Sequence, residues 1–469
     1  MTDQPQQPSP EQPSQQTPVK FDPSASHQQK PRLRPVRGFP LQAQNQEGQQ
    51  AVLLGLADAR QISDKVVATL PAAQVILPMM DGSRTIDQIV TEVGRGLTRD
   101  FLEHLVAQLD DAALLFGPNF DALQEKVRAD FDSSDLLPPA STAAFADQLV
   151  MAAAGEGAEV SDEQKEREGP ERLREALDKY IAEALKDEDN PSLDALPKAI
   201  VAPHVDYGRG WINYASIWGR LRVVDRPDRV IILGTNHFGQ ASGVCGCDKG
   251  YRTPLGACEL DRQALDLILA SLGEEQGQRF LKDRYDHEQE HSIELQIPWI
   301  QHVFGQDDEG NFPKVLGVLV HDPAVNNGES YDGEGLAFEP FVEALRSALA
   351  GLPGRTLVVS SADLSHVGPA FGDQQPLMGE GEGAQQAEGF RNQVIQTDRE
   401  LLELYMDKKA DDLIASMAWR QNPTRWCSTG NMVAAMRAVD PEKVDLLKYG
   451  AAIDQQGMSM VSNAAMVLH

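Results

Sequence analysis

From Lys198 to the C-terminus, short apolar runs alternate with helical stretches, and several runs end on residues that can bind a metal or move a proton. The runs Lys198-Ala-Ile-Val, Arg229-Val-Ile-Ile-Leu and Arg355-Thr-Leu-Val-Val read as buried strands. They lead into Ala202-Pro203-His204, Gly234-Thr235-Asn236-His237 and Ser360-Ser361-Ala362-Asp363-Leu364-Ser365-His366. A fourth segment is Trp426-Cys427-Ser428-Thr429-Gly430. Strands alternating with helices point to an α/β sheet over residues 196–469. In an open α/β sheet the carboxyl ends of the strands form the ligand crevice, so residues far apart in sequence can meet there. Lys314-Val-Leu-Gly-Val-Leu-Val and the run after Met458 are further strand candidates, and polar stretches near 322–338 and 373–389 read as loops. No glycine-rich phosphate motif follows the first strand, which argues against a Rossmann or P-loop site.

The rest of the chain divides by composition. Residues 1–30 hold eight Gln, six Pro and four Ser, too polar to offset chain entropy, so a disordered tail is expected over 1–35. Residues 36–135 read as a small, mostly helical domain. Thr85-Ile-Asp-Gln is a capping box with Ile86, Ile89, Val90 and Val93 on one face. Thr98 caps a second helix striped by Phe101, Leu102, Leu105, Val106 and Leu109, and Ala112-Ala-Leu-Leu-Phe-Gly reads as a following strand or wing. Residues 136–195 read as a linker with one packing helix after Pro170, carrying Leu173, Leu177, Tyr180, Ile181, Ala184 and Leu185 on one side.

The formal net charge is −29, from 42 Lys+Arg against 71 Asp+Glu. So acidic a surface repels phosphate backbones and anionic membranes, which argues against both as partners. No apolar run approaches the roughly 18 residues of a membrane span, and no signal peptide is evident, so a cytoplasmic protein with reduced thiols is expected. Cys245, Cys247 and Cys258 read as loop thiols, with chelation by the three as the alternative.

His204, His237 and Cys427 supply two imidazoles and a thiolate, a set suited to a borderline or soft transition metal. Three protein ligands leave positions open for water, dioxygen or substrate. His366 follows Asp363 by three residues; an unligated imidazole beside a metal is a candidate general acid/base, and the Asp can fix a nearby imidazole's tautomer or line the cleft. Asp206 and Tyr207 read as a further acceptor and a substrate-facing phenol or as turn residues, and Asn236 and Asn431 are equally two-sided. His287-Glu288-Gln289-Glu290-His291 matches H-E-x-x-H and offers a minor alternative, a zinc hydrolase completed by His302 or His321. Its polar flank and Pro298 argue against a regular metal-binding helix, leaving His291 as a site-lining residue.

Six segments occur in an order that resembles the Memo family, also called AmmeMemoRadiSam system protein B. They are Ala202-Pro-His-Val-Asp-Tyr, Ile232-Leu-Gly-Thr-Asn-His, Thr253-Pro-Leu-Gly, Glu290-His-Ser-Ile-Glu, Ser361-Ala-Asp-Leu-Ser-His and the Cys427 segment. The resemblance covers about residues 170–469. It extends to class III extradiol dioxygenases of the LigB type, which implies a mixed central sheet flanked by helices. It also implies an Fe(II) or Cu ion on His204, His237 and Cys427, with His366 at the proton-transfer position and a small-molecule substrate. A non-haem, metal-dependent oxidoreductase follows as the expected activity, with a non-catalytic metal-binding or adaptor protein as the alternative. The chain departs from the family at Phe238, where a second His is common, and in Ser428-Thr-Gly-Asn-Met, where many relatives carry a Gly-Arg-His-Pro type sequence. Separately, the run from Ile76 to Ile89 resembles winged-helix domains of the PqqD type, which implies a peptide or protein partner for residues 36–135.

Overall fold

The computed structural model describes residues 19–469 apart from 45–49, 95, 156 and 190. The chain forms two compact units, residues 1–132 and 133–469. Among the described residues no helix is long and apolar enough to cross a membrane.

In the first unit, Thr85 caps the helix Ile86–Val93 through a complete capping box, and Thr98 caps the helix Arg99–Asp111. Their apolar stripes meet over buried Ile86, Ile89, Leu102, Leu105 and Leu109. Two expectations are corrected here. A three-stranded antiparallel sheet, Val36–Gln44, Gln50–Asp58 and Val67–Thr69, precedes the helices. At the expected wing only Leu115 pairs, as an isolated bridge to Leu33. The glycine-, proline- and polar-interrupted runs of residues 36–69 hide these strands from a periodicity reading. The expectation of disorder is also corrected over residues 19–35. Residues 1–18 lie outside the described residues, but Ser26–Gln29 is helical, His27 and Gln28 both bond Asp110, and Arg32 bridges Asp81.

The second unit is built on a large mixed sheet. Its order is Asp363–Val367, Met460–Leu468, Ala199–Ala202, Thr356–Ser361, Arg229–Gly234, Lys314–Leu319 and Cys245–Gly246, and Val444–Ile453 also pairs with Met460–Leu468. The four central strands from Ala199–Ala202 to Lys314–Leu319 are mutually parallel. Burial on both faces explains their unbroken apolar sequences. Antiparallel Met460–Leu468 closes one side of this block. Helices Arg262–Leu281, Phe338–Gly351 and Thr429–Val439 pack a core with Ile231, Leu316, Val358, Phe341 and Met432. The long helix Glu382–Met406 begins inside a stretch expected to be loop.

The stretch expected to be a linker is part of this unit and carries two helices, Ser141–Ala154 and Asp162–Ala184. The second buries Leu173, Leu177 and Ile181 and stacks Tyr180 on Trp211. The first was missed because its alanine-rich sequence carries a weak amphipathic signal, and its anchor is a carboxylate from far along the chain.

A candidate metal centre at the strand ends

Because the four central strands are parallel, their carboxyl ends lie on one edge. Ser361 is registered with Ala202, and Ser360 with Leu233. His204 follows the first of these strands by two residues and is buried. Its ring Nδ1 lies 2.9 Å from the Ser361 carbonyl, a geometry in which Nδ1–H donates and Nε2 keeps its lone pair. The same Ser361 carbonyl accepts from Asn431 Nδ2 at 2.8 Å, and Asn431 also bonds Thr235 and Ser360. Asn431 is therefore a tie between strand ends rather than a substrate contact.

His237 is held by Glu290. That buried carboxylate accepts the His237 backbone N–H at 2.7 Å and lies 3.1 Å from Nδ1. Burial alone would lower the His237 pKa, but the Glu290 charge overrides it and raises the pKa well above the usual value. Burial alone would raise Glu290, but His237 brings it down to about 2. His204 lacks such a carboxylate on its ring donor, and burial followed by its histidine neighbours pushes its pKa well down.

Cys427 sits just before the helix Thr429–Val439. Thr235 donates to its carbonyl at 3.0 Å, and Asn422 clamps the Trp426 backbone through two bonds of 2.7 Å. The Cys427 Sγ lies 3.3 Å from His204 Nε2. One donor atom from each of His204, His237 and Cys427 falls within 4.8 Å of the others. Two ligands on one tetrahedral ion, with bonds of roughly 2.0 and 2.3 Å, stand about 3.6 Å apart. The donor set and its spacing therefore fit a single ion, with both imidazoles offering Nε2.

Asp363 and His366 lie on the strand Asp363–Val367, where the pairing register shifts between them. In a regular strand residues three apart face opposite sides; the bulge re-aims one of them, so both line the same cleft. They do not act on each other. Asp363 accepts the His204 backbone N–H at 3.1 Å and approaches His204 Nε2 at 3.6 Å. Burial raises its carboxyl to about 7, opposed by the bond from His204. His366 Nδ1 lies 2.9 Å from the Leu364 carbonyl, and its ring stands edge-on to Phe371. Burial lowers its pKa to about 4.

His291 lines the cleft with its ring stacked on His237 at 4.9 Å, and its Nδ1 lies 3.2 Å from Glu290. The H-E-x-x-H reading fails on local geometry. The turn Arg284–Glu288 ends before a separate short helix begins at His291. His287 has both ring nitrogens engaged, by the Tyr251 hydroxyl and the Cys245 carbonyl, and His302 pairs with Asp178. Asp206 caps the helix Tyr207–Trp218 and pairs with Arg209, and Tyr207 borders the cleft with its hydroxyl spent on the Leu295 carbonyl. Asn236 is spent on Asp286 and Gly239. Cys245, Cys247 and Cys258 are buried, and burial pushes the Cys247 and Cys258 thiols up to about 12.

The cleft over these groups has a volume of about 650 Å³. Two features escaped the sequence reading. Glu290 has no role of its own in the sequence motifs that contain it, and its hold on His237 requires the folded turn. Asp398, in the middle of the helix Glu382–Met406, is fully buried and accepts bonds from Ser365, Trp426, Tyr449 and Ser462. An isolated Asp among charged neighbours gives no sign of this.

A family model described as Memo-like protein matches residues 167–467. A MEMO1 family protein of Methanopyrus kandleri is 27% identical over 307 residues, covering 64% of this chain and 93% of the relative. One from Methanococcoides burtonii is 27% identical over 271 residues, or 57% of this chain and 84% of the relative. One from Thermotoga petrophila is 32% identical over 195 residues, or 40% and 61%.

Proposed function

The chain belongs to the family of Memo-like proteins, and from that premise we propose that its strand-end cleft is a mononuclear iron or copper centre serving a metal-dependent redox enzyme. The observation that carries the reading is the meeting of His204, His237 and Cys427 donor atoms within 4.8 Å. Each imidazole has its Nδ1 against an oxygen acceptor, the pattern that fixes the tautomer of a metal-binding His and strengthens it as a ligand. A bound ion would supply open coordination positions and one-electron chemistry at this edge.

The remaining groups suit proton handling. With its pKa near 4, His366 is a neutral imidazole at neutral pH, and its Nε2 is left to accept a proton in the cleft. Asp363 lines the same cleft and accepts the His204 backbone N–H, which positions that imidazole. Glu290 bonds both His237 and His291 and holds the two stacked rings in place.

The test is metal analysis of protein purified without oxygen, by anomalous scattering, together with oxygen consumption. Wild type should carry near-stoichiometric iron or copper, and His204→Ala should lose it. Equal metal occupancy in the two proteins would remove the proposal, and metal retention without oxygen use with any reductant would leave a metal-binding protein in place of an oxidoreductase.

A further inference from the structure

The cleft is completed by a part of the chain that precedes the family match. The helix Ser141–Ala154 lies before residue 167, yet Ser141, Ala144, Phe145 and Gln148 line the same cleft as His204, His237 and His366. Ala144 and Gln148 are exposed and Phe145 is half-buried, so this face of the helix borders open space.

The helix is fastened to the site itself. Glu294, buried, accepts the backbone N–H groups of Ala140, Ser141 and Thr142 at 2.9, 3.1 and 2.9 Å, and the Thr142 hydroxyl at 2.6 Å. A carboxylate there satisfies the unpaired N–H groups of a helix start and complements its dipole. Glu294 ends the segment whose first residue, Glu290, holds His237. One short segment thus positions a candidate metal ligand at one end and the cleft wall at the other. On its far side, Ala146 packs against Gly169 of the next helix.

The exposed side of this wall is aromatic where it meets the cleft. The Phe145 ring stands edge-on to Tyr207 at 5.0 Å, and Phe371 borders the cleft beside His366. Rings held in this way offer rigid apolar surface and favour flat, apolar partners.

We propose that the helix Ser141–Ala154 is the selectivity wall of the cleft, and that Phe145 selects ligands that carry a planar, apolar group beside the atom donated to the metal. This inference rests on the metal-centre reading. It is tested with cobalt(II)-loaded full-length protein and two probes of the same donor type, imidazole and 4-phenylimidazole, titrated by visible absorption. Wild type should bind 4-phenylimidazole more tightly than imidazole. Phe145→Ala should weaken 4-phenylimidazole by about 10-fold, the scale of an aromatic contact, and leave imidazole unchanged. Ala144→Trp, at an exposed position that does not endanger folding, should exclude 4-phenylimidazole and still admit imidazole. If the ratio of the two affinities is the same in wild type and both variants, the wall does not select ligands and the inference is overturned while the metal centre stands. Failure of the wild-type protein to bind cobalt at all overturns both.

Discussion

Asp398 accepts the indole N–H of Trp426 at 2.6 Å, one residue before Cys427. The same carboxylate accepts the hydroxyl of Ser365, one residue before His366, at 2.5 Å. Tyr449 and Ser462 complete its four donors at 2.7 and 2.5 Å. One buried anion therefore ties the candidate thiolate ligand and the candidate proton acceptor to the same point of the sheet. Asp398→Ala should cost about 3 kcal/mol or more, because buried donors lose their acceptor. In cobalt-loaded protein it should also weaken the thiolate-to-cobalt charge-transfer band, which a purely structural loss elsewhere would leave intact. Trp426→Phe, which removes a single N–H, should move the band in the same direction at a cost of about 1 kcal/mol.

Under the proposed metal centre, Glu290 strengthens His237 as a donor. Glu290→Gln keeps the shape and removes the charge, and should lower metal affinity by about 10- to 100-fold, measured by competition with a chelator. An affinity equal to wild type would show that the charge of Glu290 plays no part in metal binding.

Glu294 is the clamp on the helix Ser141–Ala154. Glu294→Ala should raise hydrogen exchange of residues 141–154 selectively and lower stability by about 2 kcal/mol, because three backbone donors lose their acceptor. Exchange that rises equally throughout the unit would mark a global defect instead of a released wall.

His287 is buried between Tyr251 and the Cys245 carbonyl, and burial lowers its pKa from 6.5 to about 4. The unfolded chain takes up this proton as pH falls through 6.5, and the folded chain only near 4. Its contribution is therefore lost progressively as pH falls from 6.5 toward 4, by roughly 3 kcal/mol in full. Denaturant titrations of His287→Gln and wild type should differ most in slope across this window. Parallel pH profiles would show that His287 does not titrate in the fold.

Much of the site was legible because its residues sit next to strong local signals. His204 and His237 follow unbroken apolar strands, and an α/β alternation places such ends on one edge. Cys427 was harder, since it ends a loop rather than a strand. The H-E-x-x-H motif misled because five residues cannot tell whether a helix runs through them, and here the chain breaks before His291. The small first-unit sheet and the helix Ser141–Ala154 were missed for a related reason: their local patterns are weak, and their partners lie in other segments.

The amino-acid sequence alone determined the α/β character of residues 196–469, its family, and the candidate ligand types gathered at the strand ends. Those follow from local periodicity and from residue identity, which the chain carries wherever it goes. Tertiary structure alone decided which oxygen meets which imidazole nitrogen: Ser361 with His204, Glu290 with His237, and Asp363 with His204 rather than His366. It also decided that Asp398 and Glu294 are anchors and that an apparent linker walls the cleft. Hydrogen bonds act only over about 3 Å, so pairings between residues distant in sequence exist only once the backbone has brought them together.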